Sequence, residues 1–403
     1  MIDVDTVSFF AIVLVAAVAA LTVAVVPKPF APPVVVLELA LGIVIGPQIL
    51  GIAESDEFIE FFATLGLGML FFFAGYEIDF QRIRGRPLVL GGLGWALSVA
   101  IAYAIGGILA ATGVILSLVF TGSALATTAI GTLIPILRDE GELRTRFGTY
   151  LLGAGAVGEF GPILLVTLFL STSQPIHEAV VLSAFIGLAI AVALLSMGLA
   201  WRGWPALERT FEASSQLAVR VTVVLIFGLV GLAGKLGLDI LLGGFVAGMI
   251  TRLALRGREL EVFESKLTAV GFGFLVPFFF VTSGIEFDLD ALGSVEALAK
   301  LGLFLGLFLV VRGAPALLLY RSVLRARERA ALAFYCATEL PLVVAITTLA
   351  VDAGHMETST SAGLVGAAML STLIYPFVAL ALKRGAEREP PIPGGVDVAT
   401  QGG

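Results

Sequence analysis

The chain has 403 residues, 58% of them hydrophobic and 14% charged, with a mean hydropathy of +1.04. Soluble globular domains are about half apolar and a quarter charged, so this composition excludes an ordinary water-soluble fold and makes lipid the solvent. The net charge of −7 says nothing about nucleic acid, because a bilayer sorts charges by side, and one cysteine with two histidines excludes an internal disulfide and a thiolate metal cluster.

A transmembrane helix needs ~20 apolar residues. In chain order, about thirteen stretches qualify, near 6–26, 33–50, 57–77, 87–110, 113–137, 146–171, 178–201, 214–234, 237–253, 266–285, 295–320, 328–350 and 359–382. The first carries Asp3 and Asp5 where a cleavable signal would be basic, so it is expected to remain as a span. With the N-terminus outside, 20 of the 24 Lys and Arg residues fall on the inner side, from Lys28 through the Arg82–Arg86 and Arg321–Arg329 clusters to Arg388. That loop-by-loop bias predicts an integral protein of the cell membrane, N-terminus out and C-terminus in.

The chain also repeats itself. ALGIVIGP at 40–47 resembles LLGGFVAG at 241–248, LFFFAGYEIDF at 70–80 resembles FFFVTSGIEFDL at 278–289, and AIGTLIPILRDEG at 129–141 resembles LVVAITTLAVDAG at 342–354. The order is the same in both halves while the predicted topology inverts them, which is how many secondary transporters are built.

The fifth stretch carries Thr121, Ser123, Thr127 and Thr128, then Gly131 and Pro135, and the twelfth carries Thr338, Glu339 and Pro341. A proline inside a span frees backbone groups that neighbours, hydroxyls or an ion must meet, so two discontinuous helices crossing near the midplane are expected. Carboxylates and guanidinia at that depth cost at least ~2.5–3.5 kcal/mol and mark partners or ion pathways. Glu159 in the sixth stretch, Arg312 in the eleventh and Glu339 in the twelfth are the leading ones, with Arg220 placed at the inner interface. Burial disfavours a carboxyl's charged form and a nearby guanidinium favours it, so one carboxyl can serve a proton or a cation in turn. Glu159 is therefore the expected competing site, with Ser123, Thr127 and Thr128 completing a cation shell and Arg312 held by Glu159 or Glu339 when no ion is bound. Residues 153–158 spell a dinucleotide fingerprint, Gly-Ala-Gly-Ala-Val-Gly, but no strand precedes them and close helix packing explains them better. Glu77, Asp79, Glu286 and Asp288 read as interfacial ends, His177 and His355 as loop residues, and Cys336 as a small buried residue.

These segments together resemble the membrane domain of the monovalent cation:proton antiporter-2 family, the Kef-like antiporters, over roughly residues 8 to 385. The resemblance implies an all-α fold with about 13 spans and no cofactor. It also implies a homodimer in which a transport core slides against a scaffold. The scaffold would take about 1–85 and 205–290, the core about 86–175 and 295–385, a linker helix about 178–201, and a short tail 386–403. Related chains usually carry Asp at the position of Glu159, after Asp, Asn or Gln; here Gly158 precedes Glu159, which favours electroneutral exchange. Residues 385–403 read as a short disordered tail and not as the nucleotide-binding domain of Kef potassium systems, so sodium is expected ahead of potassium. The residues themselves leave open a sodium-coupled symporter of an organic anion and a cation channel. They show no nucleophile, base and oxyanion set for an enzyme.

Overall fold

The computed structural model describes residues 5–27, 32–77, 80–170, 183–185, 187–188, 191–192, 194–195, 216–236, 240–254 and 258–384. The expected linker helix falls largely outside these residues, and Lys28, Asp79, His177 and the tail from 386 lie outside them altogether.

The described chain is nearly all helix. The α-helices of six residues or more are α1 (Thr6–Val25), α2 (Val34–Ile45), α3 (Glu57–Glu77), α4 (Arg86–Ala111), α5 (Leu118–Leu125), α6 (Ile130–Asp139), α7 (Arg146–Leu170) and α8 (Leu217–Lys235). They continue as α9 (Ile240–Ala254), α10 (Arg258–Val270), α11 (Val276–Ile285), α12 (Val295–Phe308), α13 (Ala314–Leu319), α14 (Ala326–Cys336), α15 (Pro341–Asp352) and α16 (Thr358–Arg384). Seven helical segments among the described residues are long and apolar enough to cross a membrane, and shorter apolar helices accompany them. The expected ends agree closely for α3, α4 and α16, because hydropathy falls sharply where a chain leaves the bilayer.

Two one-turn widenings interrupt long helices. A π turn at Gly271–Leu275 joins α10 to α11, and another at Leu309–Gly313 joins α12 to α13. Each lies just ahead of a proline, Pro277 and Pro315. A proline ring cannot donate to the carbonyl four residues back and pushes against it, and a wider turn absorbs the misfit.

The helices pack in two groups. In the first, α1, α2 and α3 pack with α9 and α11, and α8 lies on α9. In the second, α4, α5 and α7 pack together, α12 and α14 pack on α16, and α5 meets α15. The groups touch where α7 meets α9, α3 meets α6 and α2 meets α16, and Phe160 of α7 stacks on Phe245 of α9 with centroids 4.9 Å apart.

The glycines of the repeated segments sit at the tightest crossings of the first group. A Cβ at Gly248 in α9 would overlap Phe72 O and lie 2.6 Å from Tyr76 N, and one at Gly75 in α3 would overlap Phe245 O. Gly42 of α2 and Gly284 of α11 are opposed in the same way, each Cβ coming within about 3 Å of the other's Cα. Gly248→Leu is expected to cost ~3 kcal/mol or more, read as a lowered unfolding midpoint in detergent. Gly228→Leu, where an added Cβ meets nothing within 4 Å, should leave the midpoint unchanged.

The loops separate to two ends. Asp5 N–H donates to Asp56, and Gln48 donates to Asp288, at one end. At the other, Arg86 donates to Ser322, and Lys383 pairs with Glu328 at 3.0 Å and Glu142 at 3.6 Å. The basic-rich loops thus meet one another.

Candidate functional site

The fifth and twelfth stretches are both broken, as the threonine-rich and proline-bearing sequences predict. The first break is Ala126–Ala129, between α5 and α6; the second is Ala337–Leu340, between α14 and α15. They cross in contact, for Ala129 N–H donates to Thr338 O at 2.8 Å. Pro341 opens α15, where its missing N–H would have had no helical partner. Pro135, expected at the first break, instead lies within α6, and Gly131 is its second residue. No proline is needed there, because partners across the fold take up the freed groups.

Thr128 N–H donates to Gly158 O in α7 at 3.1 Å. That carbonyl is available because Pro162, four residues further on, has no N–H to give it. Pro162 is thus a signal legible in the sequence and missed there. At the second break Ser371 Oγ accepts from Glu339 N–H, and Thr372 donates to Glu339 O at 2.9 Å.

Arg312 lies in the second π turn and is 4% exposed. Its Nε and Nη2 donate to Thr128 Oγ1 at 2.9 and 2.7 Å, Nη1 donates to Ser98 Oγ at 3.1 Å, and Nη2 also reaches Ala154 O at 3.4 Å. Thr128 Oγ1 in turn donates to Cys336 O at 2.6 Å. No ion pair joins Arg312 to Glu159 or Glu339 in this conformation; neutral oxygens from α4, α7 and the first break hold the guanidinium. The direct bonds of the guanidinium thus go to neutral oxygens, where a carboxylate partner was expected. Thr128, expected as a cation ligand, is here fully engaged between Arg312 and Cys336.

The same guanidinium explains the missing neighbour of Glu159. A Cβ at Gly158 would collide with Arg312 Nη2 and lie 2.9 Å from Thr128 Oγ1. Glycine at 158 leaves the space that Arg312 fills.

Glu159 is 6% exposed in mid-α7, and its Oε2 has no hydrogen-bond partner. Glu339 is fully buried at the second break with neither carboxylate oxygen hydrogen-bonded. Thr127 and Ser123 are also buried; Thr127 Oγ1 donates to Ala124 O at 3.0 Å, and Ser123 Oγ lies 3.5 Å from the Tyr103 hydroxyl. The structure therefore gathers Glu159, Thr127, Thr128, Arg312 and Glu339 around the crossing, with Ser123 one turn back in α5.

One further carboxylate joins them. Glu77 closes α3, and its Oε2 would lie 3.4 Å from a Cβ placed on Gly131. The sequence reading put Glu77 at a membrane interface because it ends an apolar run; only the approach of α3 to α6 brings it to the break. Glu77→Gln is expected to raise the half-saturating cation concentration about fivefold, roughly 1 kcal/mol of lost attraction, while the maximal rate stays nearly unchanged in vesicle flux.

Among the described residues, no group of three or more His, Cys, Asp or Glu side chains is placed to hold a metal ion. Arg220 is exposed on α8 near its start, and exposed His355 stacks on Phe120 of α5 at 5.3 Å.

Residues 13–381 match the family described as sodium/hydrogen exchanger, transmembrane. The chain is 25% identical over 365 residues to a putative Na(+)/H(+) antiporter of Bacillus subtilis, YjbQ, covering 86% of this chain and 58% of that protein. It is 27% identical over 272 residues to the Na(+)/H(+)-K(+) antiporter GerN of Bacillus cereus, with 65% of this chain and 67% of GerN covered. A probable Na(+)/H(+) antiporter of Methanocaldococcus jannaschii is 26% identical over 68% of this chain and 70% of its own length. The fold is similar to that of the sodium proton antiporter MjNhaP1 from the same organism, with a TM-score of 0.61 at 17% identity, covering 94% of this chain and 96% of that one.

Proposed function

The chain belongs to the sodium/hydrogen exchanger transmembrane family, and from that premise we propose that it exchanges a monovalent cation, sodium ahead of potassium, for protons across the cell membrane. The observation that carries the reading is Glu159: a buried carboxylate with an unpartnered oxygen, one residue from the carbonyl that receives the first break. A carboxylate so placed binds either a proton or a desolvated cation, and mutual exclusion with alternating access makes exchange obligatory. Glu77 and the lone pairs of Thr127 and Ser123 would complete the cation's oxygen shell. Arg312 would hold the crossing in register, and Glu339 would offset its charge.

The two packing groups would be the moving parts. The first, with α1–α3 and α8–α11, would be the scaffold and dimer side, and the second, with α4–α7 and α12–α16, the transport core. The α7–α9 and α3–α6 contacts would then be the sliding surface. An inverted repeat of some thirteen spans would fit this division, and the close glycine crossings support it by linking the first segment of each half to the second segment of the other. The gathering of basic loops at one end supports an N-out, C-in orientation.

Proton flux in proteoliposomes tests the reading. An imposed pH gradient should collapse on adding sodium, less readily on potassium, and at a rate indifferent to an imposed membrane potential if exchange is one for one. A flat response to sodium, potassium and lithium would sink exchange and move the reading to solute symport. Collapse that accelerates with potential would refute electroneutrality alone. A chain that stays monomeric in lipid would remove the dimer.

A further inference from the structure

Away from the crossing, a carboxyl lies buried in α2 with no partner among the described residues. Glu38, the fifth residue of α2, is 4% exposed, and among the described residues no hydrogen bond or ion pair reaches its carboxylate. It faces a cavity of about 460 Å³ between α1, α2 and the π turn that leads into α11. Glu38 is the one ionisable side chain among the described residues of the lining. Ala16, Ala17 and Ala20 form one wall, and Phe272, Phe274 and Phe278 contribute the other. The cavity opens sideways, for Val13 and Phe274 at its rim are 37% and 40% exposed on the outer surface of the helices.

An apolar slot with one buried, unmet acceptor recognises an apolar body that carries a strong hydrogen-bond donor. Glu38 lies four residues past the start of α2, about 6 Å along its axis at 1.5 Å per residue, so a group at headgroup level can reach it. We infer that this cavity is a binding site for a membrane lipid with a primary ammonium headgroup. An ammonium N–H donates to Glu38, and an acyl segment lies between the alanine and phenylalanine walls. A charge-assisted contact of this kind is about twice as strong as a neutral one. A second copy of the chain docked through α1 fits less well. The described helix carries no basic residue, and of its three hydroxyls Ser8 donates to Asp5 and Thr22 to Val18 O, while Thr6 lies at its start, outside the described lining of the cavity.

Native mass spectrometry of the full chain, taken from nanodiscs of matched acyl composition, tests this. Phosphatidylethanolamine offers N–H donors, whereas phosphatidylcholine offers a quaternary nitrogen with none. Wild type should retain the ethanolamine lipid about tenfold over the choline lipid, and dodecylamine should displace it. Glu38→Gln should bring the ratio to near unity. Ala17→Phe, which fills the slot and leaves the carboxyl in place, should do so independently of any folding defect at position 38. Equal retention of the two lipids by wild type, or a preference that survives either substitution, would overturn the inference. So would dodecylamine binding without a lipid preference, which would make the site one for free amines. If Ala17→Phe instead shifted the monomer–dimer balance and left lipid retention alone, the slot would belong to a second copy.

Discussion

Glu159→Gln is expected to fold and insert like the wild type while cation-driven proton flux falls to the background of empty liposomes. The substitution keeps volume and polarity but removes the charge that a cation needs and the group that carries the proton, so no graded loss is expected. Stability should hold or rise slightly, because a buried carboxylate with an unpartnered oxygen costs more to keep than an amide. Glu159→Asp should retain exchange with weaker cation binding, since the shorter side chain draws the carboxylate back toward α7. Flux above about a tenth of wild type in the Gln variant, a barrier change of only ~1.4 kcal/mol, would place the competing site elsewhere, with Glu77 the next to examine.

The second large effect is expected at Arg312. Its guanidinium ties the first break to α4 and α7 through Thr128, Ser98 and Ala154. Arg312→Ala should therefore cost about 3 kcal/mol of stability, by leaving Thr128 and Ser98 short of donors in a buried crossing, and should abolish transport with it. Arg312→Lys should recover only part, because an ammonium cannot span the three positions that the planar fork reaches. The contact with Gly158 gives a sharper check. Gly158→Ala should be destabilising in the wild type, where the methyl meets Nη2, and nearly silent beside Arg312→Ala. A melting series in which the two substitutions simply add would dismiss the contact as the reason for glycine at that position.

The two breaks show how far local sequence carries. Thr338, Glu339 and Pro341 marked the second break closely, because proline at the first position of a helix is a local signal. Pro135 misled, since the first break is sustained by Gly158 O and Thr338 O, acceptors that lie 30 or more residues away. Pro162 could have pointed to the first of them, by freeing the carbonyl four residues earlier.

By itself the sequence determined that this chain lives in lipid, where α3, α4 and α16 begin and end, that two stretches break, and that Glu159, Arg312 and Glu339 sit inside apolar stretches. Those properties follow from the cost of exposing polar groups to hydrocarbon, which each segment meets on its own. Tertiary structure alone decided that Arg312 bonds neutral oxygens in place of a carboxylate, that Gly158 yields it room, that Glu77 reaches the first break, and that Glu38 is left facing an apolar slot. Each of these depends on which helix face meets which across tens to hundreds of residues. Inside a membrane that choice rests on close packing between nearly equivalent apolar surfaces, which hydropathy and periodicity do not distinguish.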